Sequence, residues 1–155
     1  MCDLKLYADQ GGRPQVRHSL ATPHYAAGMT RAEEAAERAA LAAAREHAES
    51  QAAQQLIDAF VVQARERGLA PEPLRATLYS GQSVRTDKTG WYLRKNKSIA
   101  VGEDGSYYVL TIPGGLRERL SGAKLRPTPP PLEVGRGGRD GETGDLAAFL
   151  RKRLS

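Results

Sequence analysis

The chain has 155 residues, of which 40% are hydrophobic, 26% charged and 6% aromatic; that length fits one small domain with an arm and excludes a multidomain enzyme. Much of the apolar fraction is alanine and no run approaches the roughly 18 apolar residues of a membrane span, so the core is small and no membrane is expected as a partner. The net charge of +5 concentrates in one section, and the single cysteine, Cys2, excludes an internal disulfide and a cysteine-rich zinc site.

Residues 1–29 read as an irregular arm. Leu4, Leu6 and Ala8 alternate like a short strand, but Gly11-Gly12-Arg13-Pro14 breaks it, and Thr22-Pro23 and Gly28 continue the irregularity. The first twenty residues hold no continuous hydrophobic segment, so no signal peptide is expected and a cytoplasmic protein is.

The clearest element is an Ala-rich helix over 30–68. Thr30-Arg31-Ala32-Glu33 has the spacing of a capping box, and residues 31 to 67 contain 13 alanines with no Gly or Pro. Gly68 is the expected left-handed stop, with Pro71 blocking re-entry. Leu56, Ile57, Phe60, Val61 and Ala64 form a stripe that must face a core, whereas Ala32, Ala36, Ala39 and Ala43 trace only a shallow small-residue seam. Residues 31–55 are therefore either solvated or paired with a protein partner or a second copy.

Beyond Pro73 the period changes to two, and 75–155 reads as a small α+β domain. Ala76–Tyr79, Trp91–Leu93, Ile99–Val101 and Tyr107–Ile112 are expected strands, with turns at Arg94–Lys97 and Gly102–Gly105. These give a three- to four-stranded antiparallel meander, followed by one helical turn over Leu116–Leu120. Residues 127–144 are a Pro/Gly-rich loop, after which Asp145 is placed to cap a short C-terminal helix whose Leu146, Phe149, Leu150 and Leu154 share a face. The expected fold class is α+β: a long N-terminal Ala-rich helix, the meander and the short C-terminal helix.

The motifs for chemistry are thin. Cys2 has the look of an N-terminal nucleophile only if Met1 is removed, and no oxyanion-hole motif follows it. His18, His24 and His47 lack the i, i+4 spacing of paired metal ligands. Gly135-Arg136-Gly137-Gly138-Arg139-Asp140-Gly141 fits neither a dinucleotide loop nor a Walker loop, because Asp140 stands where the first needs its last glycine and no lysine completes the second. No catalytic residue, metal site or cofactor is implied.

What remains is a basic and aromatic constellation. Between Arg75 and Lys97 six basic residues face Asp87 alone, and five of the nine aromatics fall within the meander. If Leu93, Ile99, Val101, Tyr108, Leu110 and Ile112 face the helices, then Tyr92, Arg94 and Tyr107 face outward beside Lys95 and Lys97, with Arg85 and Lys88 on the preceding segment. Exposed rings beside cations grip single-stranded nucleic acid, bases on rings and phosphates on cations. The expected function is a non-enzymatic intracellular binding protein whose basic, aromatic sheet surface takes an anionic partner, nucleic acid first. The alternative is a protein–protein adaptor or oligomeric scaffold acting through the Ala-rich helix.

Overall fold

The computed structural model describes residues 28–136 and 142–155. All but Gly28 and Met29 of the expected arm, including its strand, Cys2, His18 and His24, lie outside the described residues, as does the glycine-rich centre of the loop at 137–141. No described helix is long and apolar enough to cross a membrane. The fold is α+β.

Helix α1 spans Arg31–Glu66. The capping box is formed: the Thr30 amide donates to Glu33 Oε2 at 2.7 Å and the Glu33 amide to Thr30 Oγ1 at 3.2 Å. At the other end Gly68, at φ +68°, closes a Schellman turn in which Leu69 N–H donates to Ala64 O and Gly68 N–H to Arg65 O. A compact unit runs from Ala42 to Ser155 and takes in the C-terminal part of α1. There Ala53, Ile57, Phe60, Val61 and Ala64 are buried, at helical spacing. Ala53 takes the place that the sequence assigned to Leu56, which lies one residue off this face and is exposed.

Five strands form one mixed sheet: β1 (Glu72–Leu78), β2 (Ser83–Tyr92), β3 (Ile99–Gly102), β4 (Tyr107–Val109) and β5 (Thr111–Ile112), in the order β4-β3-β2-β1-β5. Strands β1 to β4 are the expected antiparallel meander, whereas β5 runs parallel to β1. The run Tyr107–Ile112 is thus shared between the two opposite edges. In a flat sheet those edges would stand four strand spacings, about 19 Å, apart. Yet Val109 and Thr111 are two Cα steps apart, at most about 7.6 Å. The sheet must curl until its edges meet, and Leu110 joins them: its N–H donates to Ser98 O at 2.8 Å and its C=O accepts from Thr77 N–H at 2.7 Å. Gly90 and Gly102 face each other across β2 and β3, where a side chain on either would collide with the Val101 backbone or the Tyr108 ring, so the close approach there demands glycine.

Curling gives the sheet two buried sides. Leu74, Ala76, Leu78, Val84, Tyr92, Ala100, Tyr108 and Leu110 fill the enclosed side together with Ala123 and Leu125. The outer side of β2–β4 presents Trp91, Leu93, Ile99, Val101 and Tyr107 to α1 and to α3 (Leu146–Leu154), whose Leu146 and Leu150 are buried. Trp91 is the centre of this second core: Phe60 meets it edge-on at 5.5 Å and 89°, and its indole N–H donates to Leu69 O at 3.0 Å. Burial on both sides corrects the expectation that Tyr92, Arg94 and Tyr107 face solvent; all three are buried.

The remaining elements are α2 (Leu116–Ser121) and a two-stranded ribbon of β6 (Glu133–Val134) with β7 (Gly144–Asp145). The ribbon anchors the loop through the fully buried Val134. Asp145 makes no capping hydrogen bond; the first amide of α3, on Leu146, donates instead to Leu132 O at 2.8 Å.

Register shifts between Pro73 and Arg75, so the Leu74 carbonyl and the Arg75 amide fall out of the ladder. Two side chains satisfy them: Thr86 Oγ1 donates to Leu74 O at 2.8 Å, and Tyr92 Oη accepts from Arg75 N–H at 2.9 Å. Tyr92→Phe therefore leaves a partly buried N–H without an acceptor and is expected to destabilise the protein by about 1–3 kcal/mol. Urea unfolding followed by Trp91 fluorescence checks this; an unchanged midpoint would mean that water replaces the hydroxyl.

Candidate anion-binding cleft

The β2–β3 turn and the last turns of α3 enclose a cleft of about 280 Å³. From the turn come Leu93, Arg94, Lys95 and Lys97, and from α3 come Phe149, Lys152 and Arg153. Tyr92 forms part of the wall, and among the described residues Glu72 and Glu142 contribute the only carboxylates.

Arg94 organises the turn. It is 8% exposed, and its guanidinium donates to Ser98 Oγ at 3.2 Å and to the Glu142 carbonyl at 2.9 Å, with the Glu142 carboxylate 3.5 Å from Nε. A buried guanidinium needs such partners, because an unpaired charge in this environment is costly. Asn96 accepts from the Ser98 amide and hydroxyl, and Lys97 takes a left-handed backbone at φ +57°. From there the Lys97 ammonium lies 4.9 Å from the centroid of the Tyr92 ring. The ring is thus covered by a cation, and its hydroxyl is engaged inside the sheet.

Each carboxylate of the cleft is matched by an arginine, Glu142 by Arg94 and Glu72 by Arg153 at 3.9 Å. Lys95, Lys97 and Lys152 form no ion pair among the described residues. Among the described lining residues, five cations against two carboxylates leave a net charge of +3. Such a potential attracts anions over about a Debye length, roughly 8–10 Å at physiological salt.

Four of the seven residues named from the sequence meet here: Tyr92, Arg94, Lys95 and Lys97. Of these, Tyr92 and Arg94 are structural and the two lysines are accessible. Arg85 and Lys88 stand elsewhere on β2, Arg85 opposite Arg75 and Lys88 beside Asp87 at 3.9 Å. Tyr107 belongs to the core against α1 and α3, where it is buried and not on the surface. Lys152, Arg153 and Phe149 were missed. Their only local signal is the Arg-Lys-Arg triplet at 151–153, which equally suits the negative end of the α3 dipole. Among the described residues no group of three or more His, Cys, Asp or Glu side chains is placed to hold a metal. No protein-family model matches the chain, and no curated protein or solved structure matches it.

Burial pushes the Tyr107 hydroxyl up to about 12, against the opposing pull of Arg94. Its unfolded value is about 10, so between pH 10 and 12 the unfolded chain releases a proton that the folded chain keeps. Stability is then lost as the pH rises through that window. Burial and the bond to Asp104 also raise the Tyr108 hydroxyl. Tyr107→Phe should accordingly flatten, without abolishing, the alkaline fall in melting temperature. Parallel alkaline limbs for the two proteins would refute burial of the hydroxyl.

Proposed function

We propose that this is a cytoplasmic, non-enzymatic binding protein for nucleic acid, with the cleft between the β2–β3 turn and α3 as its phosphate-contacting site. The observation that carries the reading is the convergence of Lys95, Lys97 and Lys152, none of them in an ion pair among the described residues, on one cleft whose described lining residues sum to +3. Exposed ammonium groups that balance no carboxylate release counterions when a polyanion binds, and each phosphate contact adds about 0.7 to the salt slope for a single strand. The buried Arg94 fixes the turn and is not counted among the contacts.

Replacing Lys95, Lys97 and Lys152 with glutamine should flatten the slope of log affinity against log salt by about 2 and weaken binding to all sequences alike. Fluorescence anisotropy with labelled oligonucleotides across a salt series reads both effects. A wild-type protein that binds neither DNA nor RNA at low salt overturns the proposal.

A second reading, an adaptor or self-associating scaffold, rests on a different observation. Every residue from Arg31 to Ala48 is exposed, including Leu41 and the alanine seam, so this stretch of α1 is open to a partner helix. Small side chains allow close approach but bury little area. If the seam is an interface, Ala36→Glu with Ala43→Glu should convert an oligomer to a monomer while the sheet stays folded. Sedimentation of the wild type as a monomer at high micromolar concentration eliminates the homo-oligomer.

A further inference from the structure

We infer that the outer face of the β1–β2 hairpin is a stacking platform for unpaired bases, which makes the partner single-stranded nucleic acid. The inference rests on the nucleic-acid reading of the cleft and deepens it. From Leu74 to the turn residue Tyr79 the alternation is strict: Leu74, Ala76 and Leu78 are buried while Arg75, Thr77 and Tyr79 are exposed on the opposite side. Tyr79 is 72% exposed, whereas Tyr92, Tyr107, Tyr108, Trp91 and Phe60 are buried. Its ring is held out from a fixed backbone, because Tyr79 N–H donates to Ile112 O at 3.1 Å and the turn is closed by Leu78 N–H to Gln82 O at 2.8 Å.

The cations on this face are arranged against local stability. Arg75 and Arg85 are direct cross-strand partners, and like charges placed so repel. Arg75 donates from Nε to Ser83 Oγ at 2.9 Å and from Nη2 to Ser83 O at 3.2 Å. Ser83 pairs with Thr77, so the guanidinium lies over that pair, one step of about 7 Å along the strand from Tyr79. Beyond β2, Ala123 bridges to Thr86, and Lys124 and Arg126 are exposed while Ala123 and Leu125 are buried. The cations therefore continue from β1 across β2, with one carboxylate, Asp87, among them, which accepts from Leu125 N–H at 2.9 Å. Arg75, Arg85, Lys124 and Arg126 form no ion pair among the described residues. A ring beside a row of cations suits a strand whose bases are free to stack and whose phosphates lie alongside; a duplex hides those base faces.

The test uses the full chain and three fluorescein-labelled 12-nucleotide probes: oligothymidylate, its abasic analogue and a mixed-sequence duplex. The wild type should bind oligothymidylate more tightly than either of the others. Tyr79→Ala should weaken oligothymidylate binding by roughly 5- to 150-fold, with the salt slope, abasic-strand binding and melting temperature unchanged. Arg75→Gln with Arg85→Gln should lower the slope by about 1.4. Tyr79→Ala that binds oligothymidylate like the wild type, or a wild type that binds the abasic strand or duplex equally well, overturns the platform but not the cleft. A wild type that binds none of the three at low salt overturns both.

Discussion

The structure depends on what Leu110 does with its backbone. Its N–H closes onto Ser98, just before β3, and its carbonyl onto β1, so a single residue ties the two edges of a five-stranded sheet. A sheet held in this way cannot lie flat. It has an enclosed side and an outer side, and in β2 to β4 both need apolar residues: Tyr92, Ala100 and Tyr108 on one, Trp91, Leu93, Val101 and Tyr107 on the other. The paired glycines Gly90 and Gly102 let the backbones approach where the curl is tight. Curling also leaves few unpaired edges, which limits edge-to-edge association.

Double burial has a functional consequence. In a chain with 6% aromatics, most rings are consumed by the two cores and cannot serve a ligand. Accessible cations stand instead where side chains leave the packed layers, at the β2–β3 turn with α3 and on the outer face of the β1–β2 hairpin. Both locations combine accessible cations with a backbone fixed by hydrogen bonds.

The basic section of the chain divides into two kinds of cation. Arg94 is buried, bonded to Ser98 and Glu142, and holds the turn to the segment before α3 across 48 residues of sequence. Guanidinium suits this role because its planar fork satisfies several acceptors at once. Lys95, Lys97 and Lys152 are exposed and belong to the surface; Lys97 also covers the Tyr92 ring. A positive charge count alone does not separate these roles. Burial and partners do.

The sequence by itself determined the elements whose signals are local. Thr30 with Glu33 and Gly68 bound α1 through contacts within a few residues, and the 3.6-residue spacing of Ile57, Phe60, Val61 and of Leu146, Leu150 marks the covered faces of both helices. The turns at 94–97 and 102–105 were legible for the same reason. Most of β2 was not, because Ser83–Gly90 has Val84 as its sole large apolar residue and its inward positions include Thr86, which serves the bulge. Which side of each strand is covered was decided only by the tertiary structure. A period of two marks two faces without saying that both are buried, and closure through Leu110 joins residues more than thirty positions apart. The same holds for the candidate sites: Lys95 and Lys152 line one cleft, and Arg75 pairs with Arg85, through packing and strand register that no local pattern encodes.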